Sequence, residues 1–395
     1  MLNTFMSKKQ SEIELLLCCA RAQPDPETTL LIQDLVQKDL DWEYLVQTAL
    51  QHRVMPLLYR NLKKACPQSV PQEAMNKLQR NFLVNAARNY LFTDRLLKIL
   101  NVFERNHIVA VPFKGPVLAE NIYGDIALRQ FVDLDILVYP HDVPKAHKLI
   151  VSLGYRPDIK LNPKQSKEYL KTEYSFTYFH DKGRIFVELH WKLLGRYSSC
   201  PYDLNNIKTN QSATLDNKIV RHFSPEHLLL YQCLHSSKHS WDILENICCI
   251  AELINSHEQM NWSRIETLAR KMRCERMLFL GLFLAYDLFK ITLPDHMVNR
   301  INSDPALQSI AKGVYDNIFH KSSDSERPPA SDFSFFHMKI RDRFSECVRY
   351  GLSLVLKPSR EEWRILPLPA SFSFLHYFFR PIRLAAGFGQ FLLKS

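Results

Sequence analysis

Apolar residues recur at helical spacing through the first fifth of the chain. Between residues 11 and 86, pairs such as Trp42 with Leu45 and Val54 with Leu57 are three residues apart, which is typical of a helix that buries one face. Proline-rich segments at 24–26 and 67–71 interrupt the pattern, and a further amphipathic stretch covers 90–106. These positions predict an all-helical N-terminal cap.

The pattern then changes to short runs that favour β-strands. Such runs cover 108–113, 131–138, 174–180 and 184–191, and the last two are separated by Asp181-Lys-Gly183, which is typical of a hairpin. Helical patterns return from Pro225 onward, and the Ser/Pro-rich segment 322–331 is the best linker candidate. We therefore expect an α+β protein with a small sheet between two helical regions.

Carboxylates occupy alternate positions in two of these strands. Side chains in a strand alternate between faces, so Asp133 and Asp135 share one face while Leu134 and its apolar neighbours face the core. The same alternation places Glu188 on one face with Phe186 and His190. If the two strands are neighbours, three carboxylates converge, and bound divalent cations relieve their repulsion most simply. The pattern predicts a magnesium site.

The chain contains a second Asp-Leu-Asp tripeptide that serves as an internal control. Asp39 and Asp41 lie between helical patterns just before Trp42, where helix capping explains them. The tripeptide alone is therefore weak evidence, and the strand context gives Asp133 and Asp135 their significance.

A phosphate-binding turn is predicted beside the acids. Lys114-Gly115 follows a strand and precedes Pro116, which is favoured in the first turn of a helix. Backbone N–H groups at such a helix start can approach phosphate closely, and Lys114 adds a positive charge. The alternative is an ordinary turn with a surface lysine. Arg129 is expected either to contact a phosphate or to pair with one of the two aspartates.

A polar stripe is predicted on the helix that begins at Pro225. His235, Lys238, His239 and Asp242 lie three or four residues apart on it. They form either a phosphate-facing wall of the cleft or a solvated face. Zinc binding is disfavoured because the glutamate of the H-E-x-x-H motif is absent.

Composition narrows the classes of protein and of partner. Hydrophobic residues make up 46% of the 395, which excludes wholesale disorder, and the 10 glycines include neither a P-loop nor a dinucleotide fingerprint. A net charge of +10 favours anionic partners, although basic and aromatic residues do not interleave as in RNA-binding proteins. The 9 cysteines lack C-x-x-C spacing, and no apolar run approaches the roughly 20 residues that span a bilayer. We expect a cytoplasmic protein.

The last 33 residues combine positive charge with aromatic side chains. No acid follows Glu362, whereas the segment carries four cations, including Arg380 and Arg383, and six phenylalanines. It is expected to be either a final helix docked on the core with its basic residues outward, or a peripheral contact with anionic membrane.

Several motifs together resemble a known family. They are Phe113-Lys-Gly115, Tyr123-Gly124-Asp125, Arg129, Asp133-Leu-Asp135-Ile-Leu-Val138, Val187-Glu-Leu-His-Trp191, Ala49 to Leu58, Ser224 to Leu230 and His235-Ser-Ser-Lys-His239. Over residues 40–260 the chain is similar to the uncharacterised nucleotidyltransferase family of the polymerase-β-like superfamily. The resemblance implies that Asp133 and Asp135 are metal ligands and that Glu188 is the third acid. Two departures from the wider pattern are Lys114-Gly115 in place of Gly-Ser and Cys249 where an aspartate is expected.

The resemblance and the residues together define the expected architecture. We predict a small mixed β-sheet nucleotidyltransferase core flanked by helical N-terminal and C-terminal regions. The expected parts are a helical cap at 1–86, the catalytic core at 87–195, a helical domain completing the nucleotide cleft at 196–321, and a linker with the basic tail at 322–395.

The expected activity is transfer of a nucleoside monophosphate from an NTP to an acceptor, with release of pyrophosphate. Asp133, Asp135 and Glu188 would hold two Mg²⁺ ions. Lys114, Gly115, Arg129, His235, Lys238 and His239 would contact the nucleotide. The acceptor, whether a small molecule, a sugar phosphate, a protein hydroxyl or an RNA end, is left open. The alternative is a non-catalytic relative that binds nucleotide, nucleic acid or membrane.

Overall fold

A computed structural model describes residues 9–180, 185–195, 204–205, 207, 211–257, 259–319 and 335–392. Four short helices open the described chain: α1 (Gln10–Cys19), α2 (Pro26–Val36), α3 (Trp42–Gln51) and α4 (Met55–Ala65). The predicted proline-rich break lies at the start of α2. Asp25 caps this helix, because its side chain accepts a hydrogen bond from the Thr28 amide. Asp41 caps α3 by accepting from the Tyr44 amide at 2.9 Å, which confirms the capping role predicted for the control tripeptide.

A single helix of 34 residues, α5 (Gln72–Arg105), follows the second proline-rich break. It contains neither proline nor glycine, so nothing in the backbone chemistry interrupts it. The helix runs straight through the predicted domain boundary at 86/87. That boundary is therefore wrong, because the break that ends the first group of helices is Pro71 and not a residue near 86.

The mixed five-stranded sheet is confirmed. Its strands are β1 (Ala110–Pro112), β2 (Asp133–Val138), β3 (Arg156–Pro157), β4 (Ser175–His180) and β5 (Ile185–His190), in the order β1-β2-β5-β4-β3. β2 and β5 are parallel, and the other neighbouring pairs are antiparallel. Four of the five strands were predicted, whereas β3 is too short for a sequence signal. The turn at 181–183 lies outside the described residues.

Three helices accompany the sheet: α6 (Gly115–Tyr123), α7 (Val143–Ser152) and α8 (Pro163–Thr172). A separate two-stranded ribbon, β6 (Gln211–Leu215) and β7 (Lys218–His222), follows it. The ribbon was not predicted. Its turn residues Asp216 and Asn217 both have positive φ, as a two-residue hairpin turn requires, and this Asp-Asn pair was the available signal.

The second helical region consists of α9 (Pro225–Lys238), α10 (Leu244–Asn255), α11 (Trp262–Met272), α12 (Glu275–Phe289), α13 (Asp295–Asn302) and α14 (Pro305–Phe319). The Ala22 amide donates to Glu252 of α10 at 3.0 Å, and Arg21 lies over the Phe289 ring of α12. The N-terminal helices therefore share one apolar core with this region, and the sheet has a second core on its other side. In the described parts of the chain, no helix is long and apolar enough to cross a membrane.

The C-terminal segment contains α15 (Phe335–Lys339), α16 (Phe344–Leu356), α17 (Arg360–Ile365) and α18 (His376–Leu392). Trp363 of α17 is buried in the core of the sheet, and in the final helix α18 the side chains of His376 and Arg380 are buried, as the docked arrangement predicts. The expected outward direction of the basic residues is wrong for Arg380 and Arg383, because both donate to the buried carboxylate of Glu362. The predicted linker at 322–331 lies outside the described residues.

Candidate functional site

The predicted carboxylates meet because β2 and β5 are adjacent. In the parallel register Asp135 pairs with Glu188, and Asp133 lies one pleat earlier, opposite Phe186. Leu134, Ile136 and Val138 are buried on the opposite face, as the alternation predicted. Asp135 is 2% exposed, so its charge needs compensation from nearby groups.

His190 supplies part of that compensation. Its Nε2 lies 3.0 Å from Asp135 Oδ1 and 3.2 Å from Glu188 Oε2, so the imidazole bridges the two acids. Burial disfavours the imidazolium, but the hydrogen bonds to Asp135 and Glu188 outweigh burial and raise the pKa of His190 to about 9. The sequence placed His190 on the correct face but assigned it no role. The two-residue spacing from Glu188 was the available signal.

The pKa values of the other two acids are displaced in opposite directions. Burial and the charge of Asp135 raise the pKa of Asp133 to about 6, since no described cation pairs with it directly. Burial also disfavours ionisation of Glu188, but the bond from His190 and the nearby lysines lower its pKa to about 2. Asp133 is therefore the least compensated acid of the cluster.

The donor set fits a divalent cation. Ligand atoms of Asp135, Glu188 and His190 all lie within 4.8 Å of one another. Asp135 Oδ2 is buried and has no hydrogen-bond partner among the described residues, which leaves a carboxylate oxygen available for coordination. Oxygen ligands of this kind suit Mg²⁺ or Mn²⁺, with the imidazole as a further ligand or as a counter-charge. Asp133 shares the face but is not part of this closest group.

Lys114 and Gly115 stand directly at the acids. Lys114 precedes α6, and its Nζ lies 3.7 Å from Asp135 Oδ2 and over the Tyr231 ring. Its side chain is 13% exposed, so the surface-lysine alternative is wrong. Gly115 has φ +59°, and a Cβ there would lie 3.3 Å from the Asp133 carbonyl oxygen. Glycine is therefore needed both for the backbone conformation and for this close approach.

Arg129 pairs with an acid that was not considered. Its Nε donates to Glu245 of α10 at 2.6 Å, and both side chains are buried. The expected partner was Asp133 or Asp135, so that pairing is wrong. The carbonyl of Arg129 also accepts from the side-chain amides of Asn85 and Asn89 on α5. These contacts hold Arg129 on both its side chain and its backbone.

Cys249, the departure from the expected aspartate, is part of this arrangement. Its thiol donates to Glu245 Oε1 at 2.8 Å, and the Tyr123 hydroxyl lies 3.6 Å from its sulfur. Burial and the charge of Glu245 raise the pKa of the Cys249 thiol, so it stays neutral. A thiol at this position adds a donor to Glu245 without adding a negative charge.

The predicted stripe lies only partly on α9, because the helix ends at Lys238 and both His239 and Asp242 come after it. His235 is half-buried and stacks on Tyr231, whereas His239 is exposed and lies edge-on to His235. Burial and nearby positive charges, above all Lys114, lower the pKa of His235. Lys238 donates to the Tyr174 hydroxyl at 3.2 Å. The stripe therefore extends from the neighbourhood of Lys114, beside the acids, to solvent. The one group of possible metal ligands among the described residues is Asp135, Glu188 and His190, and it includes neither His235 nor His239.

The model of a family described as "Uncharacterised nucleotidyltransferase" matches residues 38–290. A search of curated protein sequences found no match.

Solved structures give distant likenesses. The antibiotic-resistance factor ANT(2'')-Ia is 12% identical, covering 47% of this chain and 94% of its own, with a TM-score of 0.35. The lincosamide antibiotic adenylyltransferase LnuA, solved with lincomycin bound, is 17% identical, covering 40% and 94%, with a TM-score of 0.27. Both TM-scores are below 0.5, and no conclusion rests on these two structures.

Proposed function

Since the chain belongs to the uncharacterised nucleotidyltransferase family, whose model matches more than half of its residues, we propose that it transfers a nucleoside monophosphate from an NTP to an acceptor in a Mg²⁺-dependent reaction. The family resemblance inferred from the motifs is thereby confirmed, and the chain is a nucleotidyl-transfer enzyme. The cation, the site residues and the acceptor belong to the proposal.

The observation that carries the proposal is the convergence of Asp135 and Glu188 beside the start of α6. Asp133, Asp135 and Glu188 would hold the divalent cations. When bound, these ions would neutralise charge on the triphosphate and on the attacking oxygen. Asp135 Oδ2, which is buried and accepts no hydrogen bond among the described residues, supports this assignment, as does the short distance between the three ligand groups.

The phosphate groups would lie between α6 and α9. Lys114 is held at the acids, and α6 begins at Gly115, next to the Asp133 end of β2, where amides of a helix start would be available to phosphate. Lys238 and the neutral His235 line the neighbouring wall, with His239 at the solvent edge. The buried pair of Arg129 with Glu245 supports a positioning role for Arg129, which precedes Asp133 by four residues.

The chemistry is a displacement at the α-phosphorus of the NTP. An oxygen of the acceptor forms the new P–O bond, the bond to the β-phosphate oxygen breaks, and pyrophosphate leaves with the electron pair. The protein would contribute position and charge. Retention of all three acids favours this reaction over the non-catalytic binding alternative.

The test uses labelled nucleotides. The protein is incubated with each of the four α-labelled NTPs, Mg²⁺ and a small-molecule and protein extract, and both labelled products and pyrophosphate are measured. We expect one or more NTPs to give Mg²⁺-dependent label transfer that Asp135→Asn abolishes. Absence of transfer together with absence of Mg²⁺-dependent NTP binding would refute the proposal.

A further inference from the structure

The C-terminal segment beyond the family match reaches the catalytic sheet. The match ends at residue 290, whereas α17 begins at Arg360. Trp363 of α17 lies edge-on to Tyr169 of α8, with ring centroids 5.6 Å apart, and is 1% exposed. Gln165 of α8 donates to the Leu368 carbonyl at 2.7 Å. These contacts fix α17 beside the outer strands of the sheet.

Arg360 extends this contact toward the acids. Its Nε and Nη2 donate to Asp158 Oδ2 at 2.9 and 2.6 Å, and its Nη1 donates to Thr177 Oγ1 at 2.8 Å. Thr177 lies on β4 directly opposite Glu188 in the antiparallel register. Its Oγ1 is 3.4 Å from Glu188 Oε1. A continuous chain of polar contacts therefore joins α17 to the third acid.

The donors and acceptors of these groups determine the direction of the hydrogen bonds between them. A guanidinium has only donors, whereas a threonine hydroxyl has one donor and two acceptor positions. Because Arg360 occupies an acceptor position of Thr177, the single hydroxyl proton is free to be donated to Glu188 Oε1. The other oxygen of Glu188 already faces His190 at 3.2 Å. Both carboxylate oxygens are thus held, one by each neighbour.

We propose that Arg360 is a positioning residue that acts through Thr177 to orient the Glu188 carboxylate for the divalent cation. This inference rests on the proposed function and deepens it. It assigns a role in the catalytic site to a segment that the family match does not include. Partners that orient a metal ligand in this way are typically worth about 10-fold to 100-fold in metal affinity.

The experiment measures Mn²⁺ affinity of the full chain by electron paramagnetic resonance, so it needs neither the acceptor nor turnover. Thr177→Val removes the hydroxyl but keeps the ion pair of Arg360 with Asp158, so α17 stays docked. We expect about 10-fold weaker Mn²⁺ binding for Thr177→Val and for Arg360→Gln. Thr177→Ser, which keeps a hydroxyl, should retain the affinity of the parent.

Two controls separate positioning from a general effect. Arg364→Gln removes an exposed arginine of the same helix that pairs with Glu361, and it should leave Mn²⁺ affinity unchanged. The double variant Arg360→Gln/Thr177→Val should bind Mn²⁺ no more weakly than Thr177→Val alone, since both changes break one chain of contacts. Melting temperatures identify any variant that has lost its fold.

The outcomes are distinguishable. If the parent binds Mn²⁺ and Thr177→Val and Arg360→Gln bind it equally well, the positioning role is refuted while the proposed function stands. Additive losses in the double variant would also refute action through Thr177. If the parent itself binds no Mn²⁺, the proposed metal site fails and this inference fails with it.

Discussion

Asp135→Asn should destabilise the metal-free protein, because it leaves two buried cations facing an uncharged amide. Asp135 is 2% exposed and lies 3.7 Å from Lys114 and 3.0 Å from His190. The Coulomb attraction between two unit charges about 4 Å apart is about 4 kcal/mol at an effective dielectric constant of about 20. Removing one member of a buried pair typically costs about 3 to 5 kcal/mol, which is the loss we expect here.

The neighbouring aspartate should behave differently. Asp133 has no ion-pair partner in the described chain, and burial with the charge of Asp135 already disfavours its ionised form. Asp133→Asn should therefore change the free energy of unfolding by less than about 1 kcal/mol or raise it slightly. In both variants, however, the stabilisation by Mg²⁺ with NTP should disappear. For the parent it is about 2.7 kcal/mol at a hundredfold excess of ligand over Kd.

Thermal unfolding with and without Mg²⁺ and NTP measures both effects. Asp41→Asn is the matched control, since it changes the other Asp-Leu-Asp tripeptide and asparagine also caps helices well. It should alter neither the melting temperature nor the ligand-dependent shift by a large amount. The reasoning is refuted if Asp135→Asn melts like the parent, or if either site variant keeps the full Mg²⁺-dependent shift.

Three further outcomes are expected. Lys238→Ala should weaken NTP binding, measured by calorimetry, by about 1 to 3 kcal/mol, the range for a charge-assisted hydrogen bond, and should change stability little. A variant that melts early but binds NTP normally would show that Lys238 has a structural role instead. Glu362→Gln should cost about 3 to 5 kcal/mol in urea unfolding at pH 7, because the buried Arg380 then loses its ion pair with Glu362. Hydrogen bonds from Ser359 and Arg383 and the charge of Arg380 outweigh burial and lower the pKa of Glu362 from its ordinary 4.5 to about 2. The stabilisation by ionised Glu362 is therefore complete above pH 4.5. The difference in unfolding free energy between parent and variant should shrink as the pH falls toward 2. The contact with anionic membrane stays a prediction, and Phe374 and Phe378 are exposed. Replacing both by serine should abolish sedimentation of the protein with anionic vesicles. Equal sedimentation of the parent with neutral and anionic vesicles would contradict the prediction.

The acids were predictable because strand alternation is a local property. Asp133, Asp135 and Glu188 needed only the period of two and the assumption that their strands are neighbours. The compensation of their charge was not predictable in the same way. The contact of His190 with Asp135 joins residues 55 apart. The partner of Arg129 was missed for the same reason, because Glu245 is 116 residues away.

The C-terminal arginines illustrate the same limit. Composition identified a basic segment, but the direction of Arg380 and Arg383 depends on the burial of Glu362, which only the packed structure reveals. The boundary at 86/87 was a different kind of error. The sequence from 72 to 105 has no proline or glycine, and this local signal for one long helix was available.

The long helix α5 has a consequence for how the protein opens. Asn85 and Asn89 donate to the carbonyls of Ala127, Ile126 and Arg129, just before β2. A fragment that starts at residue 87 would lose Asn85 and the first half of its helix. In native-state hydrogen exchange, the amides of α5 and β2 should therefore become labelled together, as one cooperative unit. The strand that carries Asp133 and Asp135 should then unfold only together with the helix that begins at Gln72.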